Sequence, residues 1–185
     1  VANLLRGWPG LLFDQQFGLI ANAPVYGFVL AGVITAAVRL RRWGWETLAL
    51  IVPYMSAVGS YQMWWGGTSV PARLLTPIAL VLGVAAARSW RESRTGATRT
   101  LGILSLIASV IITCALIGPG HGRLLLNFRD GISLWLEWAN DVVDLPNGLP
   151  SLFHDDQARL WGKVTVWAIA VLATWLALRI IAPKH

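Results

Sequence analysis

The residues best suited to chemistry lie in a few short runs. Asp14 is followed by Gln15 and Gln16, an acid and two amides beside an apolar stretch. Such a group can coordinate a cation or orient a polar headgroup; the plainer reading is a solvated loop, because acids are rarely buried. His154, Asp155 and Asp156 combine imidazole and carboxylate, the ligand types of a metal site. Three adjacent side chains diverge on a helix, so no metal site is expected from them. His121, in GPGHGR, could ligate a metal or a pigment, but reads first as a turn. The single cysteine, Cys114, can form neither an internal disulfide nor a thiolate cluster. No nucleophile–base pair, phosphate loop or zinc spacing stands out, so no catalytic residue, metal ligand or cofactor is assigned.

The elements that would carry these residues are apolar. Of 185 residues, 56% are hydrophobic and 13% charged, with a mean hydropathy of +0.59. Soluble domains carry about 25% charged residues, so the composition indicates an all-α, polytopic integral membrane protein. Five apolar segments are expected to span, at 22–38, 47–63, 72–87, 101–118 and 161–182, in one membrane domain covering 1–185. Gly27, Gly32, Gly59 and Gly83 suit close helix contacts.

The net charge of +6 reads as membrane orientation rather than nucleic-acid binding. One set of loops, with the C-terminal end, holds nine basic residues, among them Arg39, Arg41, Arg42, Arg88, Arg91, Arg94 and Arg99, against Glu46 and Glu92. The other set holds six basic residues and seven acids. The positive side is cytoplasmic by the usual rule, which puts the N-terminus outside and the C-terminus inside. Residues 1–21 then form an outer-face segment broken at Trp8-Pro9-Gly10, with no secretory-signal pattern. Residues 119–160 form an outer loop. Within it Ile132, Leu134, Trp135, Trp138, Val142 and Leu145 share one face of an amphipathic helix. Ser151 is a candidate cap for the last span. Tryptophan favours the membrane interface, so Trp64, Trp65, Arg73, Trp135 and Trp138 are candidate lipid or partner contacts, and Trp43, Trp45, Trp90 and Trp161 lie near the expected interfaces.

Two stretches carry a family resemblance. GLLFDQQFGLIANAPVYGFVLAGV (10–33) and MWWGGTSVPARLLTPIALVL (63–82) resemble the C-terminal membrane part of bacterial GT-C-type glycosyltransferases. Those polytopic enzymes take sugars from polyprenyl-phosphate donors on the outer membrane face. Their LFD-x-x-FGL-x-x-x-APVY loop is matched through Asp14, Phe17, Gly18, Pro24 and Tyr26. Their WWGG-x-x-x-x-x-R-x-L-x-P segment is matched through Trp64, Trp65, Gly66, Gly67, Arg73 and Pro77. The resemblance covers about residues 8–90 and implies donor contacts at Asp14, Gln15 and Arg73. It also implies a catalytic acid in the first outer loop of a longer chain, so these residues correspond to the rear of such an enzyme without its catalytic front. The expectation is a non-catalytic accessory or structural subunit of a larger membrane complex, derived from a glycosyltransferase-like ancestor, in the bacterial inner (cytoplasmic) membrane. Its partners would be membrane lipids and other membrane subunits, with no nucleic acid. The alternative is the C-terminal membrane module of a GT-C-type glycosyltransferase using a polyprenyl-phosphate sugar donor.

Overall fold

The computed structural model describes residues 2–93, 96–128, 132–140, 144 and 146–181. Arg94, Asp130, Asp141, Val142, Leu145 and Lys184, which entered the charge and periodicity readings, lie outside the described residues. Among the described residues the fold is all helical, and the only extended pairing is an isolated bridge between Ser69 and Asn127. The described residues form eight α-helices: α1 (Ala2–Phe13), α2 (Leu19–Asn22), α3 (Val25–Val38), α4 (Arg42–Ser60), α5 (Ala79–Glu92), α6 (Gly96–Ile117), α7 (Leu134–Ala139) and α8 (Gln157–Ile181). A 3-10 helix, Arg73–Ile78, leads straight into α5, and another, Pro119–Leu125, follows α6. Among the described residues two helices are long and apolar enough to cross a membrane: Arg73–Glu92 and Gly96–Ile117, with mean hydropathies of 1.2 and 2.5. At 1.5 Å per residue, the 22 residues of α6 reach about 33 Å, close to a bilayer's hydrocarbon thickness of about 30 Å.

The helix α3 is the hub. It packs against α4, α5, α6 and α8, and Val29, Val33 and Ala36 are fully buried with Trp43 and Ala85. Small residues make these crossings close. A Cβ on Gly32 would sit 2.1 Å from the Ser89 hydroxyl, and one on Gly44 2.5 Å from the Ala37 nitrogen. Gly7 fills the same role where α1 crosses α4, since a Cβ there would sit 2.1 Å from the Gly59 carbonyl oxygen. Gly83, expected at a contact, faces open space.

Three local expectations are corrected. The Trp8-Pro9-Gly10 break is absent, because α1 continues through Pro9. Packing of Gly7, Gly10 and Leu11 onto α4 and Trp64 offsets the lost helical bond, as tertiary contacts commonly do. The cap of α8 is Asp156, not Ser151: Asp156 Oδ1 accepts the Arg159 N–H at 2.8 Å. Ser151 instead closes its own turn, its Oγ accepting the His154 N–H at 3.1 Å while Asp155 Oδ2 accepts the Ser151 N–H at 2.9 Å. The amphipathic helix expected through residues 132–145 is the six-residue α7, which buries Trp135 and Leu136 and leaves Trp138 57% exposed.

The contacts set apart two ends. The starts of α3 and α8, the end of α4, the 3-10 helix before α5 and the end of α6 all border the segments 14–18, 64–75, 127–128, 132–136 and 149–155. The turn between α3 and α4, the end of α5 and the start of α6 lie at the opposite end, where Trp43 Nε1 donates to Glu92 Oε1 at 2.9 Å.

Candidate functional site

The first end is a polar clasp made by Asp14, Gln15 and Gln16. The carboxylate of Asp14 closes the turn after α1: its Oδ1 accepts the N–H groups of Gln16 and Phe17 at 2.9 and 3.0 Å. Its Oδ2 accepts the Leu152 N–H at 2.9 Å, across 138 residues of sequence. Beside it the Gln15 N–H donates to the Pro150 carbonyl at 2.8 Å. The Gln16 amide donates to the carbonyls of Phe128 and Ile132, and Asn127 Nδ2 donates back to the Gln16 carbonyl at 2.7 Å. Asn127 also ties in the third segment, its N–H donating to the Ser69 carbonyl at 3.2 Å. Asn22 completes the set: its amide donates to the carbonyls of Gly18 and Gln15, and its Oδ1 accepts Trp135 Nε1 at 3.1 Å. A run of three polar residues thus fastens two loops more than 100 positions away.

The aromatic half of the clasp explains the WWGG segment. Trp64 stacks on Phe153 with 5.9 Å between ring centroids and meets the rings of Phe17 and Trp65 edge-on. Gly10 makes room for it, since a Cβ there would sit 2.2 Å from the Trp64 ring. Gly66 and Gly67 follow with φ of 83° and 77°, a left-handed pair that glycine adopts without a Cβ clash. The chain then re-enters through Ala72, whose N–H donates to the Phe17 carbonyl at 3.1 Å. The two motifs that carry the family resemblance are therefore packed directly on each other.

These placements redistribute the candidates. Asp14 and Gln15 are 0% and 2% exposed, so neither presents surface to a donor in this conformation. Burial pushes the Asp14 carboxyl from 3.8 up to about 6, against the pull of its three backbone N–H partners and with the Asp155 charge adding to the rise. Trp64 and Trp135, 5% and 6% exposed, are core residues rather than lipid or partner contacts. Trp65 is half-buried, and Arg73 and Trp138 are exposed. Asp155, in the His154-Asp155-Asp156 run, is 6% exposed at its side chain and pairs with Lys163 Nζ at 2.8 Å. Among the described residues no group of histidine, cysteine and acids could hold a metal. Sequence reasoning singled out Gln16 beside Asp14 but missed Asn22, Asn127, Phe153 and Lys163. Their only signal was polar or aromatic residues inside apolar context, which does not name a partner.

A groove of about 370 Å³ runs from this end between α5 and α6. Leu19, Ala23, Leu75, Ala79, Leu82 and Leu116 line its apolar walls, and Asn22, Tyr26, Thr76 and Thr113 supply the polar atoms. Side chains three apart eclipse on a 3-10 helix, so Arg73 shares the side of its helix with groove-lining Thr76. Arg73 makes no ion pair among the described residues. No protein-family model, curated protein or solved structure matches the chain.

Proposed function

We propose that this chain is a non-catalytic integral membrane subunit of a larger membrane complex, built on the rear part of a glycosyltransferase-like ancestor. Five spans, α2–α3, α4, the 3-10 helix with α5, α6, and α8, cross a bacterial cytoplasmic membrane, with the clasp outside and the C-terminus inside. The observation that carries this reading is the clasp itself. The Asp14 carboxylate and the Gln16 and Asn127 amides bind backbone groups of distant segments, which is the chemistry of a fastening rather than of a reaction centre, while Gln15 takes part through its main chain and its Oε1 is buried without a partner among the described residues. Exposed apolar residues along the helices, such as Leu80 at 85% and Ile111 at 62%, leave faces for lipid and neighbouring subunits. The orientation rests on the arginine-rich turns lying opposite the clasp. The test is gentle detergent extraction with mass spectrometry of what migrates with the chain. Stoichiometric co-migration with other membrane subunits is expected; a stable, monodisperse isolated chain overturns the subunit reading. In a Cys114→Ser background, Thr68→Cys is expected to react with an impermeant thiol reagent from outside and Thr100→Cys only after permeabilisation.

The groove beside Arg73 favours a second reading, the membrane module of a GT-C-type glycosyltransferase. An isoprenoid tail fits an apolar groove, and a guanidinium at its edge suits a phosphate. Under this reading Arg73→Ala abolishes sugar transfer by the intact assembly while leaving the melting temperature unchanged. Full transfer by that variant removes the support.

A further inference from the structure

At the end opposite the clasp, the distribution of charge points to a binding surface. We propose that Arg88, Arg91 and Arg99 form a site for the headgroup of an anionic phospholipid, with its acyl chains running down the exposed apolar side chains below. The proposal rests on the reading that the chain spans a membrane.

Six described arginines gather at this end: Arg39 and Arg41 in the turn between α3 and α4, Arg42 at the first position of α4, Arg88 and Arg91 near the end of α5, and Arg99 in the first turn of α6. Two glutamates accompany them, and both are engaged. Glu46 takes Arg42 at 2.7 Å. Glu92 accepts Trp43 Nε1 at 2.9 Å and faces Arg41 at 3.7 Å. Three other guanidinium groups here have no acid partner among the described residues. Arg88 lies over the Trp43 ring, 5.9 Å from its centroid, which holds the group without cancelling its charge. Arg99 Nε donates to the Ser93 carbonyl at 3.0 Å, which anchors α6 to the end of α5 and keeps the cation. Arg91 is exposed on the last turn of α5.

The mounting is rigid. Trp43 is 8% exposed, and Gly32 and Gly44 let α5 and α4 press onto α3 immediately behind the arginines. Guanidinium groups bind phosphate oxygens through two donors at once, which suits a fixed cluster. The surroundings select lipid over an acidic protein. Trp45 and Trp90 stand exposed at the same level, as interfacial tryptophans do, and the apolar Leu50 and Ile103 lie exposed one to two turns further along α4 and α6.

The test uses the full chain, released from mixed detergent–lipid micelles and weighed with its bound lipids by native mass spectrometry. The probes are phosphatidylglycerol and phosphatidylcholine at equal concentration. Preferential retention of phosphatidylglycerol is expected. Each lost guanidinium should weaken it about fivefold, so the Arg88→Gln/Arg91→Gln variant should bind it roughly twenty-fold less. Arg123→Gln, at the clasp end, should retain the full preference, and melting curves confirm that both variants fold. Equal retention of the two lipids by a membrane-inserted chain overturns the site and leaves the membrane reading intact. A preference that survives in the double variant but is lost with Arg123→Gln also overturns it, by moving the site to the other end. Recovery of the chain from the soluble fraction without detergent overturns both readings.

Discussion

Replacing Asp14 with asparagine tests the clasp, because the carboxyl is sealed from solvent and its titration is linked to folding. Its pKa is raised from 3.8 to about 6 in the folded chain. Between those values the folded state holds a proton that the unfolded state has lost. Stability from this group is therefore greatest below about 3.8, declines as pH rises towards 6, and is level above. A displacement of about two units corresponds to about 3 kcal/mol. Asparagine keeps an oxygen for the Gln16 and Phe17 N–H groups but turns an amide towards the Leu152 N–H. That loss costs about 1–3 kcal/mol at every pH. The asparagine variant should therefore be the less stable protein at pH 4 and should draw level with, or pass, the parent by pH 6.5. The assay is denaturant unfolding in mild detergent across this range, followed by tryptophan fluorescence, since Trp64 and Trp135 are both buried in the clasp. Parallel profiles for the two proteins would refute the linkage and the sealed carboxyl with it.

Three further outcomes follow from the packing. Gly10→Ala drives a methyl into the Trp64 ring and should cost about 1–3 kcal/mol, whereas Gly83→Ala fills open space in α5 and should be neutral or stabilising by up to about 1 kcal/mol; melting curves of the two variants separate them. Lys163→Met strands the buried Asp155 carboxylate and should cost roughly 3 kcal/mol in the same unfolding assay, with much of it recovered when Asp155→Asn is added. Trp135→Phe leaves Asn22 Oδ1 without its indole donor and should cost about 1–3 kcal/mol, read against Trp138→Phe, whose exposed ring should be silent.

The helices were legible because their apolar runs are long. The described residues of the five segments read from composition fall mostly on helix, but the first straddles the junction of α2 and α3, the third runs through a 3-10 helix into α5, and the second begins at Arg42 instead of residue 47. The clasp was much less legible. Asp14 and the WWGG segment stood out, but burial and partnership are decided by residues such as Leu152 and Phe153, more than 80 positions from Trp64 and more than 130 from Asp14. No periodicity encodes such pairings. Tryptophan was misleading for a related reason: its ring serves equally at an interface and in a core, and only tertiary context separates Trp135 from Trp138, three residues on. Pro9 misled through a local rule that tertiary packing overrode.

The bond from Leu152 to Asp14 also sets an order of events during synthesis. A ribosome adding about 5–20 residues per second needs on the order of ten seconds to pass from Asp14 to Leu152. Throughout that interval α1 and the turn after it exist without the strands of chain that will cover them, and Asp14, Gln16 and Asn22 remain hydrated. The segments up to α6 can associate early through α3, but the last stretch before α8 is the piece that expels water from the clasp end. A chain interrupted before residue 149 would then present an open, wet surface there, with the Asp14 carboxylate lacking its Leu152 donor and the Gln15 N–H lacking the Pro150 carbonyl.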